Sequence, residues 1–423
     1  MTVFQGDMFM GCKTVKLGVI GLGPRAETLL ATLRGLPPEE CQVTAVCDIN
    51  PARVTFVLDL FAGNGLPQPR AYADHKALLA DPEVEAVLIP TGWNSHLGIA
   101  GDAMAAGKYA GIEVGGASSL EELWHLVRNA EQFGGSCMML ENCCYGRNEL
   151  MALNLVRKGL FGELIHCSCG YEHDLSEIAR PENCTERSIH NLRRCGDLYP
   201  THGIGPIAKI LRINRGNRFV SLTSTASKSR GFMLEAERSG QGKVFYNQGD
   251  VVTTVIKCAN GETITMTHGI SLPRPYSRDC RVQGTLGIWL EDANGVYVEG
   301  ISPKYEKLDA AGNPYTVHEW TPIGDMYEKY DHPIWKKFRE NITGAHGGMD
   351  TLTLQAFCEA VRNRTAPPID VYDCAAWMCL TALSEQSIAC GSMPIPIPDF
   401  TNGQWIYEGK YDGSIWSLDE VAE

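Results

Sequence analysis

Residues 21–26 read Gly21-Leu22-Gly23-Pro24-Arg25-Ala26, set between a β-rich run at 15–20 and an apolar-periodic segment at 28–33. A strand, a glycine turn and a helix in that order form the G-x-G-x-x-A cradle for a dinucleotide pyrophosphate. Gly21 permits the tight turn, Gly23 lets the backbone approach the phosphates, and Ala26 lets the helix pack closely on the strand. The helix N-terminus adds free N–H groups and the positive end of its dipole. The next apolar strand, 43–47, ends in Asp48. A carboxylate there accepts hydrogen bonds from an adenosine ribose and repels a 2′-phosphate, which favours NAD over NADP. The plain alternative for Asp48 is an N-cap ahead of Pro51.

The elements that must position these groups follow by alternation. Helices at 73–79, 98–106 and 120–133 interleave with strands at 86–90, 109–114 and 136–140, the pattern of a doubly wound parallel sheet. Ligands of such sheets sit at the carboxyl ends of strands. That rim carries Thr91-Gly92-Trp93-Asn94-Ser95-His96, Glu113-Val114 and Glu141-Asn142, each of which taken alone reads equally as loop and cap chemistry. Beyond about residue 150 the character changes. A helix at 150–158 ends at Gly159, a strand follows at 163–171, and a loop runs to Asp197. Strands then follow at 219–223, 251–258, 262–269, 279–284 and 287–291, and helices return at 350–363 and 371–390. The expected fold class is α/β. A Rossmann domain with a doubly wound parallel sheet spans 1–145, and an α+β domain with a large, mostly antiparallel open sheet spans 146–423. This arrangement allows the C-terminal helices to pack back on the first domain.

Composition bounds the function. The chain has 423 residues and a net charge of −13, too acidic to favour nucleic acid or an anionic membrane as partner. Hydrophobic residues at 44% and charged residues at 21% exclude collagen, disorder and coiled coil. The first residues carry no basic region followed by a sustained apolar run, and no stretch approaches the roughly 18 apolar residues of a membrane span. A cytoplasmic location is therefore expected. The 16 cysteines include no C-x-x-C pair with zinc spacing, and Cys167 and Cys169 alternate as sheet packing does. No metal is expected.

Read on its own, His202 is a capping or core histidine opening a helix at 204–211, Tyr171 a half-buried sheet aromatic, and Tyr199 a loop residue. His173 lies two residues from Tyr171 on the same strand face, without enough further ligands for a metal. His346 reads as a structural turn, and Trp405 and Trp416 as packing or subunit contact.

Seven blocks along the chain change that reading. They are Trp93-Asn94-Ser95-His96, Glu113-Val114, Met139-Leu140-Glu141-Asn142, Gly170-Tyr171-Glu172-His173-Asp174-Leu175, Tyr199-Pro200-Thr201-His202-Gly203, Arg274-Pro275-Tyr276-Ser277-Arg278 and His346-Gly347-Gly348-Met349-Asp350. In this order they resemble the Gfo/Idh/MocA superfamily, and most closely the NAD-dependent glycosidases of glycoside hydrolase family 109, known for alpha-N-acetylgalactosaminidase activity. The Tyr-Pro-Thr-His block with the glycines after it is specific; the glycine fingerprint alone places only the superfamily. The resemblance implies NAD contacts at Pro24, Arg25, Asp48, Trp93, Asn94, Ser95, His96, Glu113, Val114 and Asn142. It implies sugar contacts at Tyr171, Arg187, Tyr199, Pro200, Thr201, His202 and Tyr276, with Glu141 nearby as a polar anchor of nicotinamide or substrate. The loop at 176–195, which carries Arg187, departs from the family's usual sequence and length. Gly115-Gly116 stands where Pro-Ala is usual. Val114 stands where ordinary dehydrogenases of the superfamily place a lysine, which weakens a simple dehydrogenase reading.

The implied reaction is hydrolysis by transient oxidation. NAD+ takes hydride from C3 of the sugar, the ketone acidifies the proton on C2, a base removes it, and the aglycone leaves C1. Water then adds and the hydride returns. This differs from the paired-carboxylate route. Such a site needs a proton acceptor at O3, a base at C2 and an acid for the aglycone. His202 suits O3 because imidazole titrates near neutral pH. Tyr171 and Tyr199 are the candidates for the base at C2; Tyr171 is assigned that role, with Tyr199 and Tyr276 binding the sugar. The expected substrate is a small glycoside or oligosaccharide, and a homo-oligomer, dimer or larger, is expected. Two rivals stand beside this reading: an NAD-dependent sugar or inositol dehydrogenase, and a sugar or NAD sensor without turnover.

Overall fold

The computed structural model describes residues 14–340, 343–408 and 413–421. Residues 1–13, on which part of the secretion reading rests, lie outside the described residues. The first β-rich run forms β1 (Val15–Ile20), and Gly21 turns the chain with φ +92°. Pro24 then opens α1 (Pro24–Arg34), where its missing N–H has no helical partner to lose. Alternation continues through β2 (Cys41–Cys47), α2 (Pro51–Gly63), β3 (Arg70–Tyr72), α3 (His75–Leu79), β4 (Ala86–Ile89), α4 (His96–Ala105), β5 (Tyr109–Ile112), α5 (Leu120–Phe133) and β6 (Cys137–Met139). The strands pair in parallel in the order β3-β2-β1-β4-β5-β6. β4 and β5 are buried throughout, as a sheet covered on both faces requires. The order reverses between β1 and β4, so the carboxyl ends of those strands frame the ligand crevice.

After α6 (Arg147–Arg157) the chain enters a second sheet at β7 (Leu164–Glu172), crosses α7 (Glu186–Arg193) and α8 (Thr201–Ile210), and returns at β8 (Phe219–Ala226). Then follow α9 (Gly231–Arg238), β9 (Val252–Cys258), β10 (Thr263–Gly269), β11 (Arg281–Gly284), β12 (Gly287–Leu290), β13 (Gly295–Val298), an outlying hairpin of β14 (Lys304–Leu308) and β15 (Pro314–His318), and β16 (Thr321–Pro322). Helices α10 (Tyr327–Tyr330), α11 (Pro333–Phe338), α12 (Met349–Asn363) and α13 (Val371–Ala389) precede a short β17 (Ile395–Pro396). The sheet runs β16-β13-β12-β11-β7-β10-β9-β8-β17 and is antiparallel except between β7 and β10. The strict alternation of buried and exposed residues in β9 marks one face on the core and one open.

One close approach positions the site. A Cβ at Gly203, in α8, would lie 2.7 Å from the Gly170 backbone nitrogen in β7. Only glycine lets this helix settle on that strand, which brings His202 and Tyr171 side by side. The C-terminal helices lie against the parallel sheet, where the Met139 amide donates to the Ile369 carbonyl across 3.3 Å. Beneath them Lys209 and Arg215 are buried against Asp370, Asp373 and Asp419. No helix among the described residues is long and apolar enough to cross a membrane.

The structure corrects several elements of the reading. The loop expected up to Asp197 contains α7, capped by reciprocal bonds between Thr185 and Ser188. Helix α9 and the hairpin β14–β15 were also not foreseen. Helix α8 begins at Thr201 rather than Ile204 and carries Pro206 in its interior, and α4 begins at His96 rather than Gly98. Asn50, not Asp48, caps α2, accepting a bond from the Ala52 amide.

Candidate active site

A cavity of about 380 Å³ lies where the two sheets meet. Its walls come from the βα turns of the parallel sheet on one side and from β7, α7 and α8 on the other. On the second side, His202 Nδ1 stands 2.6 Å from Glu141 Oε1, and the same oxygen accepts the Cys143 amide at 3.1 Å. Glu141 is wholly buried, whereas His202 reaches the cavity. Burial alone would depress the imidazole, but Cys143 and Glu141 outweigh it and hold His202 well above its ordinary range. Burial likewise opposes the Glu141 carboxylate, yet His202 keeps it below the usual range.

Tyr171 packs against this pair, its ring centroid 5.6 Å from His202 and 4.7 Å from Tyr199. Arg187, on α7, places its guanidinium over both phenol rings, 5.3 Å from Tyr171 and 4.5 Å from Tyr199. Burial pushes the Tyr199 hydroxyl up to about 12, against the pull of His202 and Arg187. Tyr199 therefore stays a neutral donor. Tyr276 is half exposed, and its ring stands 6.0 Å from Tyr171 and 5.2 Å from His173; burial raises its hydroxyl too. α7 also closes the cavity mouth. Glu186 accepts the Asn94 amide at 2.8 Å and fills space that a Cβ at Gly92 would take, while His190 stacks on Trp93 at 5.1 Å.

The opposite wall is built around Asp350. It accepts Arg25 through both guanidinium N–H groups at 2.7 and 3.2 Å, the Asn142 amide at 2.6 Å, and a ring N–H of His346 at 3.1 Å. Burial disfavours the Asp350 charge, but the bonds from His346 and Arg25 prevail and hold the carboxyl far below its usual range. Arg25 also reaches Glu113 at 2.9 Å, and burial keeps Glu113 raised despite that partner. His346, read above as a structural turn, has φ +54° and also lines the cavity.

The turn at Gly21–Pro24 fits a dinucleotide. A Cβ at Gly21 would come within 2.6 Å of the Thr91 side chain, whereas one at Gly23 would meet no protein atom within 4 Å. Nothing in the protein itself requires glycine at position 23; close approach of a phosphate does. Asp48 Oδ2 accepts the Leu22 amide at 2.6 Å, fixing the carboxylate beside the turn at the end of β2.

The structure thus brings Arg25, Trp93, Glu113, Val114, Asn142, Tyr171, Arg187, Tyr199 and His202 to one cavity, with Gly21, Gly23, Pro24 and Asp48 at the adjoining turn. Three residues sit elsewhere than the resemblance implied. Glu141 has no exposed surface and backs His202 instead of anchoring a ligand. His96 is wholly buried at the start of α4 with both ring nitrogens unpartnered, and burial drives it down to about 4. Thr201 is buried with its hydroxyl unpartnered. Ser95 is tied into its own turn through the Gly92 carbonyl, Asn94 is held by Glu186 and Ser118, and Pro200 caps α8. Asp350 and Glu186 were not foreseen as site residues. The only signal for Asp350 was its place in the His346 block, and nothing local marks Glu186.

Comparison with known proteins agrees with this architecture. Residues 15–140 match the family model "Oxidoreductase family, NAD-binding Rossmann fold", and residues 145–407 match "Glycosyl hydrolase 109, C-terminal domain". An alpha-N-acetylgalactosaminidase of Tannerella forsythia is 40% identical, covering 93% of this chain and 87% of that protein. One of Shewanella oneidensis is 38% identical over 93% of this chain and 86% of that protein. An NAD binding oxidoreductase from Klebsiella pneumoniae shares the fold with a TM-score of 0.70 at 16% identity, covering 91% of this chain and 99% of that one. Scyllo-inositol dehydrogenase from Lactobacillus casei, solved with NAD(H) and scyllo-inositol, does so with a TM-score of 0.61 at 13% identity, covering 91% and 99%.

Proposed function

Because the chain belongs to glycosyl hydrolase family 109, we propose that it hydrolyses alpha-N-acetylgalactosaminides and keeps its NAD through turnover. One observation carries this reading. His202 of α8 and Tyr171 of β7 share a single cavity with Arg25, which follows the dinucleotide turn, and with Glu113 and Asn142 at the ends of the parallel strands. Bound NAD+ supplies a reversible two-electron acceptor, so that C3 of the sugar is oxidised and reduced again without net change.

The chain's own residues do the rest. With Nδ1 committed to Glu141, the neutral form of His202 accepts the O3 proton through Nε2, and the buried carboxylate, which favours the imidazolium, stabilises the charge that results. Tyr171 removes the C2 proton, and the Arg187 guanidinium over its ring offsets the charge of the phenolate. Tyr199, neutral at working pH, donates to a sugar oxygen and stacks beside Trp93 at 5.7 Å. Arg25 and Asn142, both fixed by Asp350, hold the dinucleotide side of the cavity in register.

The test is a nitrophenyl α-N-acetylgalactosaminide incubated with desalted enzyme in D2O, followed at the nitrophenol and NADH wavelengths together. We expect nitrophenol without added NAD+, no accumulating NADH, and deuterium at C2 of the released sugar. In a parallel assay with NAD+ and free sugar added, NADH rising as sugar is oxidised, with no nitrophenol released from the glycoside, would overturn the reading in favour of a dehydrogenase.

A further inference from the structure

Under the His202 wall lies a sulfur that the hydrolytic reading does not use. A Glu141 carboxylate oxygen, Cys143 Sγ and a ring nitrogen of His202 all lie within 4.8 Å of one another. Glu141 and Cys143 are buried, and His202 keeps 14% of its side chain exposed toward the cavity. Two observations mark this trio as more than packing. Glu141 Oε2 is buried without a hydrogen-bond partner. Cys143 Sγ donates to Asn142 Oδ1 at 3.6 Å, accepts from the Arg278 guanidinium at 3.3 Å and adjoins the His202 ring.

We propose that Glu141, Cys143 and His202 form a binding site for a thiophilic divalent cation, Zn2+ above all, which enters from the cavity and arrests the enzyme by capturing His202. Carboxylate, thiolate and imidazole are a three-residue zinc set with the fourth position open to the cavity, and a sulfur ligand selects against Mg2+ and Ca2+. Ligand atoms around tetrahedral zinc stand roughly 3.5 Å apart, so the trio closes on a cation by small side-chain rotations. The exchange balances: the thiol proton and the proton held between His202 and Glu141 leave, and one dication takes their place. The buried cluster keeps its net charge. Arg278 adds little repulsion, because Glu149 and Glu291 already pair with it.

Purified NAD-containing enzyme is titrated with CoCl2 as spectroscopic probe, and hydrolysis is assayed in parallel against ZnCl2. We expect one equivalent of cobalt with a thiolate-to-metal charge-transfer band, and zinc inhibition relieved by chelator. In Cys143→Ala and Cys143→Ser, the band is lost, and the inhibiting zinc concentration, read against each variant's own zinc-free rate, rises at least tenfold. A wild-type enzyme without the band, or a band unchanged in both variants, would overturn the proposal. The inhibition rests on His202 acting in hydrolysis, whereas the band does not. A Cys143-dependent band with unimpaired hydrolysis therefore sustains the metal site and removes His202 from the reaction.

Discussion

Two carboxylate–imidazole pairs flank Tyr171, and they differ in almost every consequence. Glu141 and His202 meet at 2.6 Å at the cavity wall, while Asp197 and His268 stand 3.8 Å apart behind the tyrosine, each only 1% exposed. In the first pair the imidazole is raised and the carboxylate lowered, so both are charged. In the second, burial pushes Asp197 up to about 7 and holds His268 down to about 3. Separation and local donors explain the contrast. Glu141 Oε1 accepts a short imidazole bond and an amide at 3.1 Å; Asp197 has one amide at 3.4 Å, and Oδ2 has no partner. A buried ion pair needs short contacts and further hydrogen bonds to offset desolvation. Where these fail, burial favours the neutral forms. Chemistry at Tyr171 is thus one-sided: a cavity-facing pair that favours its charged forms and a buried pair that favours its neutral ones.

Deleting the imidazoles should break the symmetry most sharply. His202→Ala is expected to lower kcat/KM for the nitrophenyl substrate by about 10³, the scale of a general base. His268→Gln should lower it less than roughly threefold, since nothing in the reaction addresses that ring. Steady-state kinetics on both variants decide; equal losses would mean that the rear pair takes part in proton transfer.

Glu141→Gln is the next largest. It keeps the shape and removes the charge, leaving His202 buried without its carboxylate. We expect kcat to fall about 10- to 100-fold and the acid limb of the pH–rate profile to move to lower pH, because the imidazolium loses the partner that favours it. A profile that keeps its acid limb would assign that limb to another group.

The two pairs also mark the boundary of what is legible in the sequence. The turn at 21–26, the parallel strands and the alternating second sheet follow from local pattern, where a few consecutive residues fix φ, ψ and facing. Tyr171, Tyr199 and His202 could be singled out because they stand in blocks that resemble a family. Their partners could not be placed, because partnership is long-range. Glu141 reaches His202 across 61 residues, and Arg25 reaches Asp350 across 325. Glu141 was accordingly taken for a ligand anchor instead of the backing of a histidine. α7 was missed for a different reason. At 8 residues it is too short for periodicity to speak, and its stability comes from contacts to Asn94, Trp93 and Glu385 that the local sequence does not contain.

The smallest expected effect sharpens the rear pair by stability instead of rate. Asp197 has a folded value near 7 against an ordinary 3.8. Its burial therefore costs nothing below about pH 4; the cost grows between about pH 4 and pH 7, where the folded carboxyl holds a proton that the unfolded one has lost, and is constant above pH 7. His268, lowered to about 3 from 6.5, has the opposite slope, with its cost appearing as pH falls below 6.5. Asp197→Asn removes the first slope and leaves the second. The stability of the variant relative to wild type should therefore climb between pH 5 and pH 7, by on the order of two kcal/mol, and level off above pH 7, while kcat/KM stays within roughly threefold. Thermal melts across that range, read beside the same melts of Glu141→Gln, separate the two pairs. A flat difference for Asp197→Asn would mean that Asp197 titrates in the folded protein as it does in the unfolded chain, so that burial does not hold its proton.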